Sequence, residues 1–198
     1  MAVDIAEIKR LKDLTGVGLT DAKKALEEAS GDFDKALAAM RKKGLTKAEK
    51  RGEREARAGL VGTYNHDGRI GVLVEVNCET DFVARGEIFQ TVVKDLAMHI
   101  AAAAPQYVSS DEVPAEDHDK IKAEFIEKAE ADGKPADMAE KIVEGQLKKY
   151  FAERCLLDQP FVKNPDQTVA EYVKENAARM NENVVVRRFS RLALGEIS

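Results

Sequence analysis

The sequence has no tryptophan, two cysteines and five prolines, and aromatic residues fill only 6% of its 198 positions. A large all-β protein draws on more aromatic side chains than that, so a helix-leaning chain is expected. Cys78 and Cys155 are too few for a disulfide framework, and neither belongs to a CxxC pair. Long apolar runs are missing: the longest uncharged one lies near Ile100–Ala104, far below the ~20 residues of a membrane span. The start, Met1-Ala-Val-Asp-Ile-Ala-Glu7, puts acids where a secretory signal has a basic patch and an apolar run. No GxxxxGK(S/T) phosphate loop and no HExxH metal motif occurs, and Gly16-Val-Gly18 is a lone GxG. These absences point to a cytoplasmic protein without membrane segment, cofactor, metal or catalytic constellation.

What is present is charge. Charged residues make up 34% of the chain, with 31 Lys plus Arg against 36 Asp plus Glu and a net charge of −5. The balance is uneven: residues 1–40 carry −2, residues 41–60 carry +5 and residues 61–198 carry −8. An acidic bulk makes a dedicated nucleic-acid binder a poor reading. The basic stretch, with Arg41, Lys42, Lys43, Lys47, Lys50, Arg51 and Arg54, reads as the end of a first domain plus a linker. The expected division is therefore residues 1–52 and residues 53–198.

Residues 1–52 read as three short helices. Ile5, Ile8 and Leu11 recur at helical spacing, and Gly16 and Gly18 break that helix. Thr20 is placed to cap a second helix, whose stripe is Ala22, Ala25, Leu26 and Ala29. After Ser30-Gly31-Asp32, Phe33, Ala36, Leu37 and Met40 line a third. Bundles this small sit at the lower size limit for independent folding and more often bind than catalyse.

From Gly59 the period changes to two. Leu60–Tyr64 and Arg69–Val76 flank Asn65-His66-Asp67-Gly68, whose last two residues tolerate the left-handed backbone of a hairpin turn. Helices are predicted over Glu87–Ala103, near Ala115–Ala131 and over Ala136–Leu157, then a loop over Gln159–Pro165. Thr168 and Glu171 form a capping box for a helix to about Met180, and Val184–Leu194 closes the chain as a strand. Three strands far apart in sequence with helices between them predict an α+β core with a three-stranded antiparallel sheet and flanking helices.

Few residues stand out chemically. Asp117-His118-Asp119 reads as a solvated acidic face, Cys78 and Cys155 as incidental buried thiols, His66 as a surface turn residue and His99 as a boundary position. The informative segment is Asn77-Cys-Glu-Thr-Asp-Phe-Val-Ala-Arg85, leaving a buried strand for a helix. Two readings stand side by side. Thr80 caps the helix, Asp81 sits at its positive end and Phe82 packs into the core. Alternatively Asp81-Phe82 projects as a tip, an aromatic beside an acid, shaped to wedge into a partner's cleft.

Thr80-Asp-Phe-Val-Ala-Arg85, preceded by Val74-Glu-Val-Asn-Cys-Glu79, closely resembles the signature of the bacterial elongation factor Ts family. Leu14-Thr-Gly-Val-Gly-Leu19, Asp21-Ala-Lys-Lys-Ala-Leu26 and Gly31-Asp32 resemble that family's ubiquitin-associated-type three-helix domain. Gln159-Pro-Phe-Val162 and Asn183-Val-Val-Val-Arg-Arg-Phe189 resemble its later segments. The resemblance implies a guanine-nucleotide exchange factor acting on GDP-bound and nucleotide-free elongation factor Tu. It implies that Thr80, Asp81, Phe82 and Val83 enter the partner's G domain near its magnesium site. By the same resemblance Lys9, Lys12, Leu19 and Thr20 touch that G domain, and His66 touches the partner's β-barrel third domain. Some relatives carry Arg and Met where this chain has Lys12 and Thr20. Longer members have a core of two related halves; here the halves are merged, which implies a homodimer binding two partner molecules. Other classes kept in view are a helical adaptor or nucleic-acid binder using the basic segment, and a thiol enzyme using Cys78 or Cys155.

Overall fold

The computed structural model describes residues 4–15, 17–40, 42, 52, 54–131 and 136–196. Most of the basic stretch 41–54 falls outside the described residues, so the linker reading has no structural counterpart.

Near the N-terminus, α1 (Ile5–Thr15), α2 (Leu19–Glu28) and α3 (33–40) share one small core. Ile8, Leu11, Ala22, Ala25, Leu26, Ala36 and Met40 are its buried members, close to the stripes read from spacing. Ile5 is an exception and stands in solvent. Thr20 is not the cap of α2. Gly18 takes that position with extended backbone and no side-chain bond, leaving Thr20 inside the first turn. Asp32 caps α3, its Oδ1 accepting from the Lys35 N–H at 3.0 Å.

The larger part is built on β1 (Ala58–His66), β2 (Ile70–Cys78) and β5 (Val184–Ala193), an antiparallel sheet with β2 in the centre. The β1–β2 turn holds Asp67 and Gly68 at φ 50° and 68°, the left-handed pair that Asp-Gly supplies. His66 ends β1 opposite Ile70 and opens the turn, its carbonyl accepting from the Arg69 N–H at 2.9 Å. Val72, Val74, Val76 and Val186 face inward, and α5 (Glu87–Ala103) and α8 (Val169–Met180) pack behind them. The approach of α5 is close at Gly62, where a Cβ would collide with the Val93 side chain. Phe89, Leu96 and Ile100 are fully buried there. Each such side chain contributes about 1.5–3 kcal/mol by leaving water.

Two further helices, α6 (Ala115–Ala131) and α7 (Ala136–Ala152), form an antiparallel arm with its own core of Ala129, Val143, Leu147, Phe151 and Cys155. Here α7 ends five residues short of the expected Leu157. The backbone after it pairs instead with the segment following α5: Leu156 N–H donates to Tyr107 O at 2.8 Å and Leu157 N–H to Val108 O at 3.0 Å. The expected Gln159–Pro165 loop is likewise corrected. It forms most of a small hairpin, β3 (Pro160–Phe161) with β4 (Asn164–Thr168).

That hairpin is fixed by buried polar groups, which must find partners once desolvated. His99 is a fully buried core residue, not a boundary one. Its Nε2–H donates to Gln159 Oε1 at 3.0 Å and its Nδ1 accepts from the Val162 N–H at 3.2 Å. The buried Asp95 accepts from Lys163 Nζ at 2.6 Å and from the Tyr172 hydroxyl at 2.9 Å. Burial lowers the His99 pKa from 6.5, partly opposed by the Gln159 bond. The unfolded chain thus binds this proton more readily than the folded one. His99 costs no stability above its ordinary pKa of 6.5, and stability falls as pH drops below that. Denaturant titrations of the whole chain are expected to show stability declining from pH 6.5 towards 5. His99→Gln is expected to lose about 1–3 kcal/mol at pH 7.5 and to flatten that decline.

Candidate functional site

At the end of β2 the chain turns through Glu79 and Thr80 into a single helical turn, α4 (Asp81–Ala84), before α5 begins. Thr80 is extended and its hydroxyl accepts from the Val83 N–H at 3.3 Å, the capping geometry expected of it. Cys78 and Ala84 anchor the segment, both buried, one on each side. Between them the chain bulges outward: Asp81 is exposed and Phe82 is 88% exposed. Of the two readings of Phe82, the core contact is therefore excluded. A groove of about 740 Å³ opens at its base, lined by Phe82, Val83, Arg85, Ile88 and Met180 among others.

An exposed aromatic is uncommon in a chain that has only 7 Phe and 4 Tyr. Forgoing the burial of one phenyl ring sacrifices about 1.5–3 kcal/mol, so the exposure needs a cause. Local geometry supplies it. A turn as short as α4 cannot rotate Phe82 inward while Thr80 holds Val83 and Ala84 fills the core position.

The remaining sequence-selected residues lie elsewhere. His66 sits at the far end of the β1–β2 hairpin, its Nδ1 3.1 Å from the Tyr64 hydroxyl and its ring stacked on Tyr64. Nine-residue β2 separates it from the tip by roughly 27 Å at ~3.3 Å per residue. Lys9 and Lys12 are exposed on α1, and Leu19 and Thr20 are exposed at the start of α2. Thr80, Asp81, Phe82 and Val83 thus form one contiguous feature, and the other five sit on surfaces of their own.

Competing chemistry finds little support. Among the described residues no group of three or more His, Cys, Asp or Glu is arranged to hold a metal. Asp117 accepts from the Tyr107 hydroxyl at 3.1 Å, and His118 stacks on Phe151. Both thiols are buried and unbridged. Burial, with help from the Glu182 charge, raises the Cys78 pKa, and burial with Asp158 and Glu112 pushes Cys155 up to about 11. A protonated, inaccessible thiol is a poor nucleophile. No described helix is long and apolar enough to cross a membrane.

A protein-family model, Elongation factor TS, matches residues 15–196. The chain belongs to the elongation factor Ts family. It is 53% identical over 197 residues to the elongation factor Ts of Geobacter sulfurreducens, an alignment covering 99% of this chain and 91% of that relative. Elongation factor Ts of Geobacter metallireducens matches at the same identity and coverage, and that of Geotalea uraniireducens is 52% identical. The tip lies within the matched family region.

Reading the sequence alone missed three residues around the tip. Glu79, Glu182 and Asn183 tie the ends of β2 and β5 together, with Asn183 N–H donating to Glu79 Oε1 at 2.7 Å. The available signal was the polar run Asn181-Glu-Asn183 wedged between an amphipathic helix and an apolar strand. For the thiols, iodoacetamide at pH 7.5 is expected to leave Cys78 and Cys155 unmodified in the folded chain and to alkylate both after denaturation. Mass spectrometry showing rapid labelling of Cys78 in the folded chain would contradict the buried-thiol account.

Proposed function

We propose that this chain is a guanine-nucleotide exchange factor for elongation factor Tu in translation elongation, and that Thr80, Asp81, Phe82 and Val83 are its working segment. The observation that carries the tip's role is Phe82, held almost fully in solvent beside Asp81 at a fixed strand–helix corner. Family membership supports the choice of partner, and the exposure of Phe82 beside Asp81 supports the wedge reading.

The physics is linkage. Phosphates and the partner's magnesium hold each other in place, so a bound nucleotide leaves slowly. A factor that binds the nucleotide-free partner better must weaken the nucleotide by the same factor that the nucleotide weakens it. Each tenfold weakening requires about 1.4 kcal/mol of coupling. In this reading Phe82 displaces a helix of the G domain and Asp81 disturbs the metal's surroundings. No covalent bond is made or broken, so the activity is not enzymatic in the reaction sense and needs no cofactor. Translation places it in the cytoplasm. No direct nucleic-acid contact is invoked.

The remaining contacts follow the division of the chain. Residues 1–52 form the ubiquitin-associated-type unit, with Lys9, Lys12, Leu19 and Thr20 offered to the same G domain. Residues 53–198 form the core and the dimerisation unit. His66 is read as touching a second domain of the partner, a reading supported by its lying a strand's length from the tip. A homodimer that binds two partner molecules is supported by the outer face of the sheet. There Val61, Leu73 and Leu192 stand 65%, 52% and 74% exposed, on all three strands. Isolated exposed apolar residues are ordinary, but these three form a diagonal stripe across the strands, beside the Glu75–Arg188 ion pair, and such a stripe favours a partner.

Two experiments address these readings. With a fluorescent GDP analogue on elongation factor Tu, the chain is expected to speed release, and Phe82→Ala to cut that stimulation at least about tenfold; wild-type stimulation by the variant would refute the wedge. Light scattering at micromolar concentration is expected to give a dimer mass for the wild type and a monomer mass for Leu73→Glu, whereas a monomeric wild type would remove the dimer from the account.

A further inference from the structure

We propose that Glu182, two residues beyond α8, is a positioning residue that holds the Asp81-Phe82 tip in its working orientation, an inference that rests on the exchange reading above. Glu182 is 102 residues from Thr80 in sequence, and its carboxylate receives three donors from the base of the tip. Oε2 accepts the N–H groups of Glu79 and Thr80, each at 3.0 Å, and Oε1 accepts the Thr80 hydroxyl at 2.6 Å. Bonds to an ionised carboxylate are shorter and stronger than neutral ones.

The third bond fixes the direction of the cap. Because the Thr80 hydroxyl commits its proton to Glu182, it turns a lone pair to the Val83 N–H. The orientation of the turn carrying Phe82 is then set from outside its own segment. A four-residue turn has almost no helical stability by itself, so without this support its aromatic would sample many directions. Ordering it would then have to accompany partner binding, at an entropic cost.

The geometry at Glu182 is itself built. Asn181 closes α8 in the left-handed region at φ 59°, turning the chain back towards the end of β2. Beyond the last sheet pair, Cys78 with Val184, the two strands exchange glutamates: Glu182 caps the amides after β2, and Glu79 accepts from Asn183 ahead of β5. Asn183 Nδ2 in turn donates to the Arg54 carbonyl at 2.7 Å and the Gly52 carbonyl at 3.2 Å. The knot under the tip therefore also holds the point where the chain enters the core from the N-terminal helices.

The test has a structural and a functional arm. In the full chain, Glu182→Ala is expected to raise amide hydrogen exchange at residues 80–84 about tenfold or more, with no change over residues 92–100 of α5. Glu182→Gln, whose single oxygen still accepts backbone amides, is expected to fall between. With elongation factor Tu and a fluorescent GDP analogue, Glu182→Ala is expected to lower the stimulated release rate about fivefold to tenfold. In a Phe82→Ala background, measured where that variant still exceeds the intrinsic rate, adding Glu182→Ala is expected to cost little more, because Glu182 acts through Phe82. Unchanged exchange at residues 80–84, or full additivity of the two substitutions, would overturn the proposal. If Phe82→Ala alone released nucleotide like the wild type, the wedge reading would fall, and the hydrogen-exchange comparison would still decide whether Glu182 holds the tip.

Discussion

Holding a phenylalanine in water is the constraint around which the core is arranged. The hydrophobic effect drives Phe82 inward, and a flexible loop would let it collapse onto the nearby groove. Three features prevent this. Ala84 and Cys78 are buried on either side, Thr80 closes the single turn between them, and Glu182, two residues ahead of the neighbouring strand β5, accepts from Thr80. The sheet and the two helices behind it are the rigid base that makes such anchoring effective. Packing such as that of Gly62 beneath Val93 leaves α5 little room to shift.

The same arrangement bears on energetics. An exchange factor works only through the difference between its affinities for two states of its partner. A wedge that had to be ordered on binding would forfeit part of that difference to conformational entropy. In the proposed reading, hydrogen bonds from Glu182, 102 positions from Thr80, would preorganise the tip and keep that difference available for the nucleotide. Buried Asp95, His99 and Gln159, joined by the exposed Lys163 and half-buried Tyr172, form a polar cluster that fixes the β3–β4 hairpin rather than the tip.

Much of this was legible from residues whose signals are local. The bounds of α5 follow from a strong helical period ending before Pro105, and those of α8 from the Thr168–Glu171 capping box. The β1–β2 hairpin follows from Asp67-Gly68. Where sequence reading failed, the deciding partner was distant. Residues after Ala152 leave the helix because their backbone pairs with residues 107–108, and nothing in Glu153-Arg-Cys-Leu156 marks the end. Pro160 and Pro165 suggest a loop, yet His99 and Asp95 hold a hairpin there. Thr20 looked like a cap because the alternative, Gly18, acts through its backbone alone. At the site, the pattern around Thr80 is that of an ordinary capped helix start and favours a buried Phe82 over a projecting one. Only the surroundings of Ala84 and Glu182 separate the two, and those depend on the assembled sheet.

The central claim is reciprocal coupling between this chain and the nucleotide on elongation factor Tu, transmitted through Phe82. It is tested most directly by measuring the chain's affinity for elongation factor Tu with no nucleotide and with saturating GDP and magnesium, for the wild type and for Phe82→Ala. The account predicts that GDP weakens wild-type binding by a large factor, that the chain weakens GDP binding by the same factor, and that Phe82→Ala shrinks both together. Equal wild-type affinity for the empty and GDP-loaded partner would contradict it.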